Sequence, residues 1–239
     1  MNDPKSRLIV ALDVPDRAAA LRVVDQLSGH VGFFKVGLEI FTREGPPLVE
    51  EIRNRGEKVF LDLKLHDIPN TVRGAVRSAC QLGVQMLTIH ASGGPAMLSA
   101  ACEEAQSSGS PPLLLAVTAL TSLSIENVRT LGISGSIEDW VERLAILAYD
   151  SGIRGIVAST KELPMLRRKF QSDMRLVIPG IRPAGSALQD QSRTATPGEA
   201  IRAGADFIVV GRPILQAPNP AMAADSIVAD IAQARLTPA

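Results

Sequence analysis

The chain has 239 residues, with 25 basic and 25 acidic side chains cancelling to a formal charge of zero, and it is 46% hydrophobic but only 3% aromatic. A balanced charge excludes the basic footprint of a nucleic-acid binder, and the scarcity of aromatic residues removes the stacking platforms that single-strand binders use. No apolar run approaches the roughly 18 residues of a membrane span, and MNDPKSR at the amino terminus is not a signal peptide, so a cytoplasmic protein with no nucleic-acid or membrane partner is expected.

Taken in chain order, short β-rich apolar runs recur at 7–14 (RLIVALDV), 33–37 (FFKVG), 59–63 (VFLDL), 86–90 (MLTIH), 112–117 (PLLLAV), 153–158 (IRGIVA), 175–179 (RLVIP) and 206–211 (DFIVVG). Between them lie segments of helical period: Leu21, Val24 and Leu27 before Gly29; Val72, Ala75, Val76, Ala79 and Leu82 before Gly83; Leu144, Ala145, Leu147 and Ala148 before Gly152. The glycines stand where helix C-caps belong, Asp16 and Asn70 can cap helix starts, and Ser136 with Asp139 has the spacing of a capping box. Strand alternating with helix means parallel strands with crossover helices. Eight such units predict an α/β fold, a single (β/α)8 TIM barrel over residues 1–239, close to the roughly 250 residues that fold takes. An open doubly wound sheet is the alternative, but Asp13 is followed by Val14 and Pro15 where a glycine-rich fingerprint would begin. The connections 118–136 and 183–197 are longer than a βα unit needs and read as irregular lid-like loops. Cys80 and Cys102 lack any CxxC or Cys/His spacing and read as reduced core residues, with no metal site implied.

In such a barrel the chemistry lies at the C-terminal ends of the strands. Polar residues interrupt the apolar runs there: Asp13, Lys35, Asp62, Lys64, His90, Thr118, Thr121, Ser122, Arg182, Gly211 and Arg212. The third strand alternates as LDLKL, which sets Leu61, Leu63 and Leu65 on one face and Asp62 and Lys64 on the other. With Asp67 it forms DxKxxD, whose carboxylates would keep Lys64 protonated as a general acid. Lys35 needs a carboxylate partner, which Asp13 or Asp62 could supply. GIR and GR after the seventh and eighth strands suggest a phosphate site, with Arg212 gripping the anion, Gly211 admitting the backbone and Gln191 closing from the long loop. His66 and His90 could serve as acid–base groups or as structural hydrogen-bonders, and His30 reads as a surface residue.

These residues resemble the orotidine 5'-phosphate decarboxylase family, particularly its bacterial members, along essentially the whole chain. The resemblance rests on ALDV (11–14), FKVG (34–37), FLDLKLHDIPNTV (60–72), VTALTS (117–122), PGIRP (179–183), Gln191 and VVGRPI (209–214). Leu65 departs from it, standing where many relatives carry an aromatic. The resemblance implies decarboxylation of orotidine 5'-phosphate to uridine 5'-phosphate, the last step of UMP synthesis, without metal or cofactor. It assigns Lys64 as proton donor beside Asp62, with Asp67 and Ile68 crossing into the partner site of a homodimer and Thr71 approaching the sugar. It gives Asp13 and Lys35 the ribose hydroxyls, Thr121 and Ser122 the pyrimidine, and Arg182, Gln191, Gly211 and Arg212 the 5'-phosphate. Three other readings remain open: a magnesium-dependent sugar-phosphate enzyme sharing DxKxxD, an aldolase using Lys64 as a Schiff-base nucleophile, and a silent nucleotide-binding barrel. The aldolase needs a neutral lysine, which flanking aspartates oppose.

Overall fold

The computed structural model describes residues 3–183 and 195–236. The order of elements is β1 (Leu8–Ala11), α1 (Arg17–Leu27), β2 (Phe33–Gly37), α2 (Leu38–Glu44), α3 (Pro46–Asn54), β3 (Val59–Leu65), α4 (Pro69–Gln81), β4 (Met86–His90) and α5 (Gly94–Gln106). After them come β5 (Leu113–Val117), α6 (Ile125–Thr130), α7 (Ile137–Asp150), β6 (Gly155–Val157), α8 (Leu163–Phe170), β7 (Arg175–Ile178), α9 (Pro197–Arg202), β8 (Phe207–Val210), α10 (Arg212–Leu215) and α11 (Pro220–Leu236). The eight strands pair in sequence order, all parallel, and β1 closes on β8. This is the expected (β/α)8 barrel, and it overturns the open-sheet alternative.

Alternation along each strand divides the core in two. Leu8, Val10, Phe34, Val36, Leu61, Leu87 and Ile89 face the helix layer. Ile9, Phe33, Phe60, Met86, Leu115, Val177, Phe207 and Val209 fill the barrel interior, where Phe33 and Phe207 meet edge to face with ring centroids 5.7 Å apart. Their apolar packing makes the barrel floor solid, so the polar residues above it gather at one mouth.

Two of the three expected helix starts form as the local chemistry predicts. Asp16 caps α1 by accepting the Ala19 N–H at 2.8 Å, and Ser136 and Asp139 complete the capping box of α7. Asn70, expected as a cap, instead lies inside α4: Pro69 takes the first helical position, where its missing N–H costs nothing, and Ile68 becomes the cap. The connection 118–136 is not wholly irregular, because Ser124 and Asn127 form a capping box that starts α6. Of the connection 183–197, Ala195 bridges to Ile181 and Thr196 caps α9, while residues 184–194, with Gln191, lie outside the described residues. Cys102 is buried and Cys80 half-buried, both as free thiols, and burial pushes Cys102 up to about 11. His30 lies partly exposed, 2.7 Å from Asp225 of α11. No helix among the described residues is long and apolar enough to cross a membrane.

Candidate active site

At the C-terminal mouth β2 and β3 deliver the inward-facing Lys35, Asp62 and Lys64, while Asp13, Arg182 and Arg212 follow the ends of β1, β7 and β8. Lys35 stands on β2 next to Ala11 of β1 in register, and Asp62 of β3 stands next to Gly37 of β2. The side chains link in a row of alternating charge. Asp13 Oδ1 is 3.6 Å from Lys35 Nζ, which is 3.5 Å from Asp62 Oδ2. Asp62 Oδ1 in turn accepts a hydrogen bond from Lys64 Nζ at 2.8 Å. Both aspartates named as partners for Lys35 therefore serve it.

Asp62 is the buried centre of this row, with its side chain 12% exposed. Burial alone would push its carboxyl up. The ammonium groups of Lys35 and Lys64, with hydrogen bonds from Lys64 and Thr88, outweigh that and hold it below the ordinary carboxylate value. His90, at the end of β4, is shifted down by burial and then by His66 and Lys64, against the pull of Asp62. The rings of His66 and His90 lie 5.4 Å apart, beside the charged row rather than in it.

Asp13, Lys35, Asp62, Lys64, Thr121, Arg182, Gly211 and Arg212 line one cavity of about 290 Å³, with Phe60, Val117, Val157 and Val209 supplying apolar surface. Ser122 lines an adjoining groove of about 870 Å³ under the 118–136 connection, which shares Thr121, Gly180 and Arg212 with the cavity. A Cβ at 211 would come within 3.3 Å of an Asp13 carboxylate oxygen, so glycine there leaves the carboxylate room beside β8. The lining thus carries two lysines, from β2 and β3, and two arginines, from the segments after β7 and β8, together with apolar side chains of the barrel interior. Such a lining suits an anionic ligand with an apolar part.

Asp67, Ile68 and Thr71 do not join this cavity. They are exposed between β3 and the first turn of α4, and the Asp67 carboxylate accepts the Ile68 N–H at 2.6 Å. Within the chain, DxKxxD reaches Lys64 through Asp62 alone, because Asp67 forms no ion pair among the described residues. Among those residues no group of three or more His, Cys, Asp or Glu is arranged to hold a metal ion. Each aspartate of the row is already committed to a lysine.

Sequence reasoning missed Thr88, a fully buried hydroxyl on the inward face of β4 that hydrogen-bonds both Asp62 and the backbone of Lys64. Its signal was available: a polar residue at the inward position two before His90, in the apolar run MLTIH.

Fold and site together define a (β/α)8-barrel protein with a charge-lined pocket at the face where barrels carry catalysis. Residues 6–227 match the family described as Orotidine 5'-phosphate decarboxylase / HUMPS family, and the chain belongs to it. The chain is 51% identical to an orotidine 5'-phosphate decarboxylase of Moorella thermoacetica, over 95% of this chain and 92% of that protein. It is 44% identical to one of Saccharophagus degradans, over 99% of each. A crystal structure of orotidine 5'-phosphate decarboxylase from Lactobacillus acidophilus superposes with a TM-score of 0.84 at 36% identity, covering 94% of this chain and 98% of that one.

Proposed function

We propose that this chain decarboxylates orotidine 5'-phosphate to uridine 5'-phosphate and carbon dioxide, the closing step of UMP synthesis, without metal or organic cofactor. The observation that carries the reading is the row Asp13–Lys35–Asp62–Lys64 lining one cavity together with Arg182 and Arg212. Full-length relatives bearing that activity in their names support it.

The chemistry follows from where charge develops. Breaking the bond from ring carbon C6 to the carboxylate leaves an electron pair on C6, and no ring carbonyl is placed to accept it. Fixed positive charge must stabilise that pair as it forms. The Lys64 ammonium, oriented by Asp62, provides the charge and then transfers its proton to C6 as carbon dioxide leaves. The neutral amine recovers a proton from solvent. Asp13 and Lys35 hold the ribose hydroxyls, and Thr121 and Ser122 the pyrimidine. Arg182, Gln191, Gly211 and Arg212 hold the 5'-phosphate, whose binding energy drives closure over the reacting carbon.

The same reading makes the working unit a homodimer, with Asp67, Ile68 and Thr71 completing the site of the partner subunit. Its support is the exposed stretch 66–71, which includes Ile68 at 67% exposure.

The test is loss of orotidine 5'-phosphate absorbance with chelator present, for wild type beside Lys64→Ala. Chelator-resistant conversion to uridine 5'-phosphate is expected, falling by about a thousandfold or more in the variant. No conversion by folded wild type, or conversion only with added magnesium, would reject the proposal.

A further inference from the structure

The β3–β4 ladder is interrupted where the reactive residues sit. Leu61 pairs with Leu87 and Leu65 with Ile89, so β3 carries two more residues than β4 between these pairs. Lys64 lies in this bulge with φ of 51°, a left-handed conformation that a lysine adopts only when its surroundings hold it there. Its N–H has left the strand ladder and donates to the Thr88 hydroxyl oxygen at 2.8 Å. Because that N–H can only donate, the hydroxyl accepts there and its own proton is free to be given to Asp62 Oδ1, 3.0 Å away. A single buried hydroxyl therefore ties the backbone of the lysine to the carboxylate that receives the lysine's ammonium.

From this geometry we infer that Thr88 is a positioning residue for decarboxylation, fixing the Lys64 bulge and the rotation of the Asp62 carboxylate together. The inference rests on the function proposed above and adds a residue to it. Oδ1 of Asp62 takes Lys64 and Thr88, which leaves Oδ2 to face Lys35. Without the hydroxyl, the carboxylate loses one of the bonds that set its rotation, and the part-buried Lys64 N–H loses its acceptor. Both faults move the ammonium relative to the reacting carbon, and neither removes a group that touches substrate. The loss should appear in the chemical step rather than in binding.

The experiment compares Thr88→Val, which keeps the shape and removes the hydroxyl, with Thr88→Ser, which keeps the hydroxyl. For Thr88→Val, kcat is expected to fall between about tenfold and a hundredfold, while KM and uridine 5'-phosphate affinity stay within about threefold and Thr88→Ser stays near wild type, as for a misplaced catalytic group. Lys64 should also be acylated faster in Thr88→Val than in Thr88→Ser at one pH, relative to surface lysines of the same molecule. Should Thr88→Val not fold, Thr88→Cys carries a weaker donor of similar size and should give an intermediate kcat. Wild-type kcat in folded Thr88→Val or Thr88→Cys, or equal impairment in Thr88→Val and Thr88→Ser, would overturn the inference. Failure of wild type to turn over the nucleotide would sink the proposed function instead, and the acylation rates would still decide whether Thr88 positions Lys64.

Discussion

At the scale of single residues, the site turns on Asp62. It is the acceptor shared by Lys35, Lys64 and Thr88, so replacing it removes the carboxylate that holds two ammonium ions close together. Asp62→Asn should destabilise the fold at neutral pH by on the order of 3 kcal/mol, because breaking a buried ion pair strands the remaining charge. The pH dependence has a defined sign. The carboxyl is lower in the folded protein than in the unfolded chain, so its contribution is complete above the ordinary carboxylate range and is lost as pH falls through the folded value. Urea titrations of wild type and Asp62→Asn should therefore diverge most at pH 7 and converge well below about pH 4. A constant gap across that range would show that the carboxylate charge is not what stabilises the site. Of these residues, Asp62, Lys64, Lys35 and Asp13 were all legible as polar interruptions of buried strands. Thr88 was overlooked because threonine is a common strand residue, and its role depends on a partner strand that only the register supplies.

Among the elements, β3 shows how a correct inference can be reached by a different route. A period of two predicts Asp62 and Lys64 on one face, and both do line the cavity. Yet the strand is bulged and Lys64 is left-handed, which no glycine or asparagine announces in LDLKL. In that conformation the Lys64 N–H is accepted across the ladder by the Thr88 hydroxyl, a contact that local propensity does not contain. The helix caps divide similarly: Asp16 and Ser136 act locally and were readable, whereas Asn70 was displaced by the proline beside it. The short strand β6 depends on an absence. Gly155 lies against Leu115, and an added Cβ would come within 2.4 Å of a Leu115 methyl and 3.0 Å of the Leu114 carbonyl. The leucine can turn away but the backbone cannot, so Gly155→Ala should cost about 1–3 kcal/mol through overpacking. Denaturant unfolding checks this, and an unchanged midpoint would mean that β6 can shift outward.

For the whole molecule, the barrel was readable because eight apolar runs and their helices repeat one local pattern, and closure follows from repeating it. What sequence periodicity does not contain is contact between chains. Asp67 and Ile68 lie in FLDLKLHDIPNTV (60–72), one of the stretches that carry the family resemblance, yet within the chain they stay outside the cavity while Asp62 and Lys64 line it. Ile68 is exposed and apolar, and Asp67 beside it forms no ion pair among the described residues; the proposed dimer gives both a place. If Asp67 completes the partner's site, Lys64→Ala and Asp67→Ala chains should each be inactive alone. A mixed dimer pairs the intact Lys64 of one chain with the intact Asp67 of the other at a single site, while its second site carries both defects. Random exchange of equal amounts makes half of all dimers mixed, so activity should recover to about a quarter of wild type per site, in the manner of symmetric two-fold interfaces. Subunit exchange is followed independently by mass labelling. Exchange without recovered activity would remove Asp67 from the partner's site, and recovery that vanishes on dilution would tie catalysis to the assembled dimer.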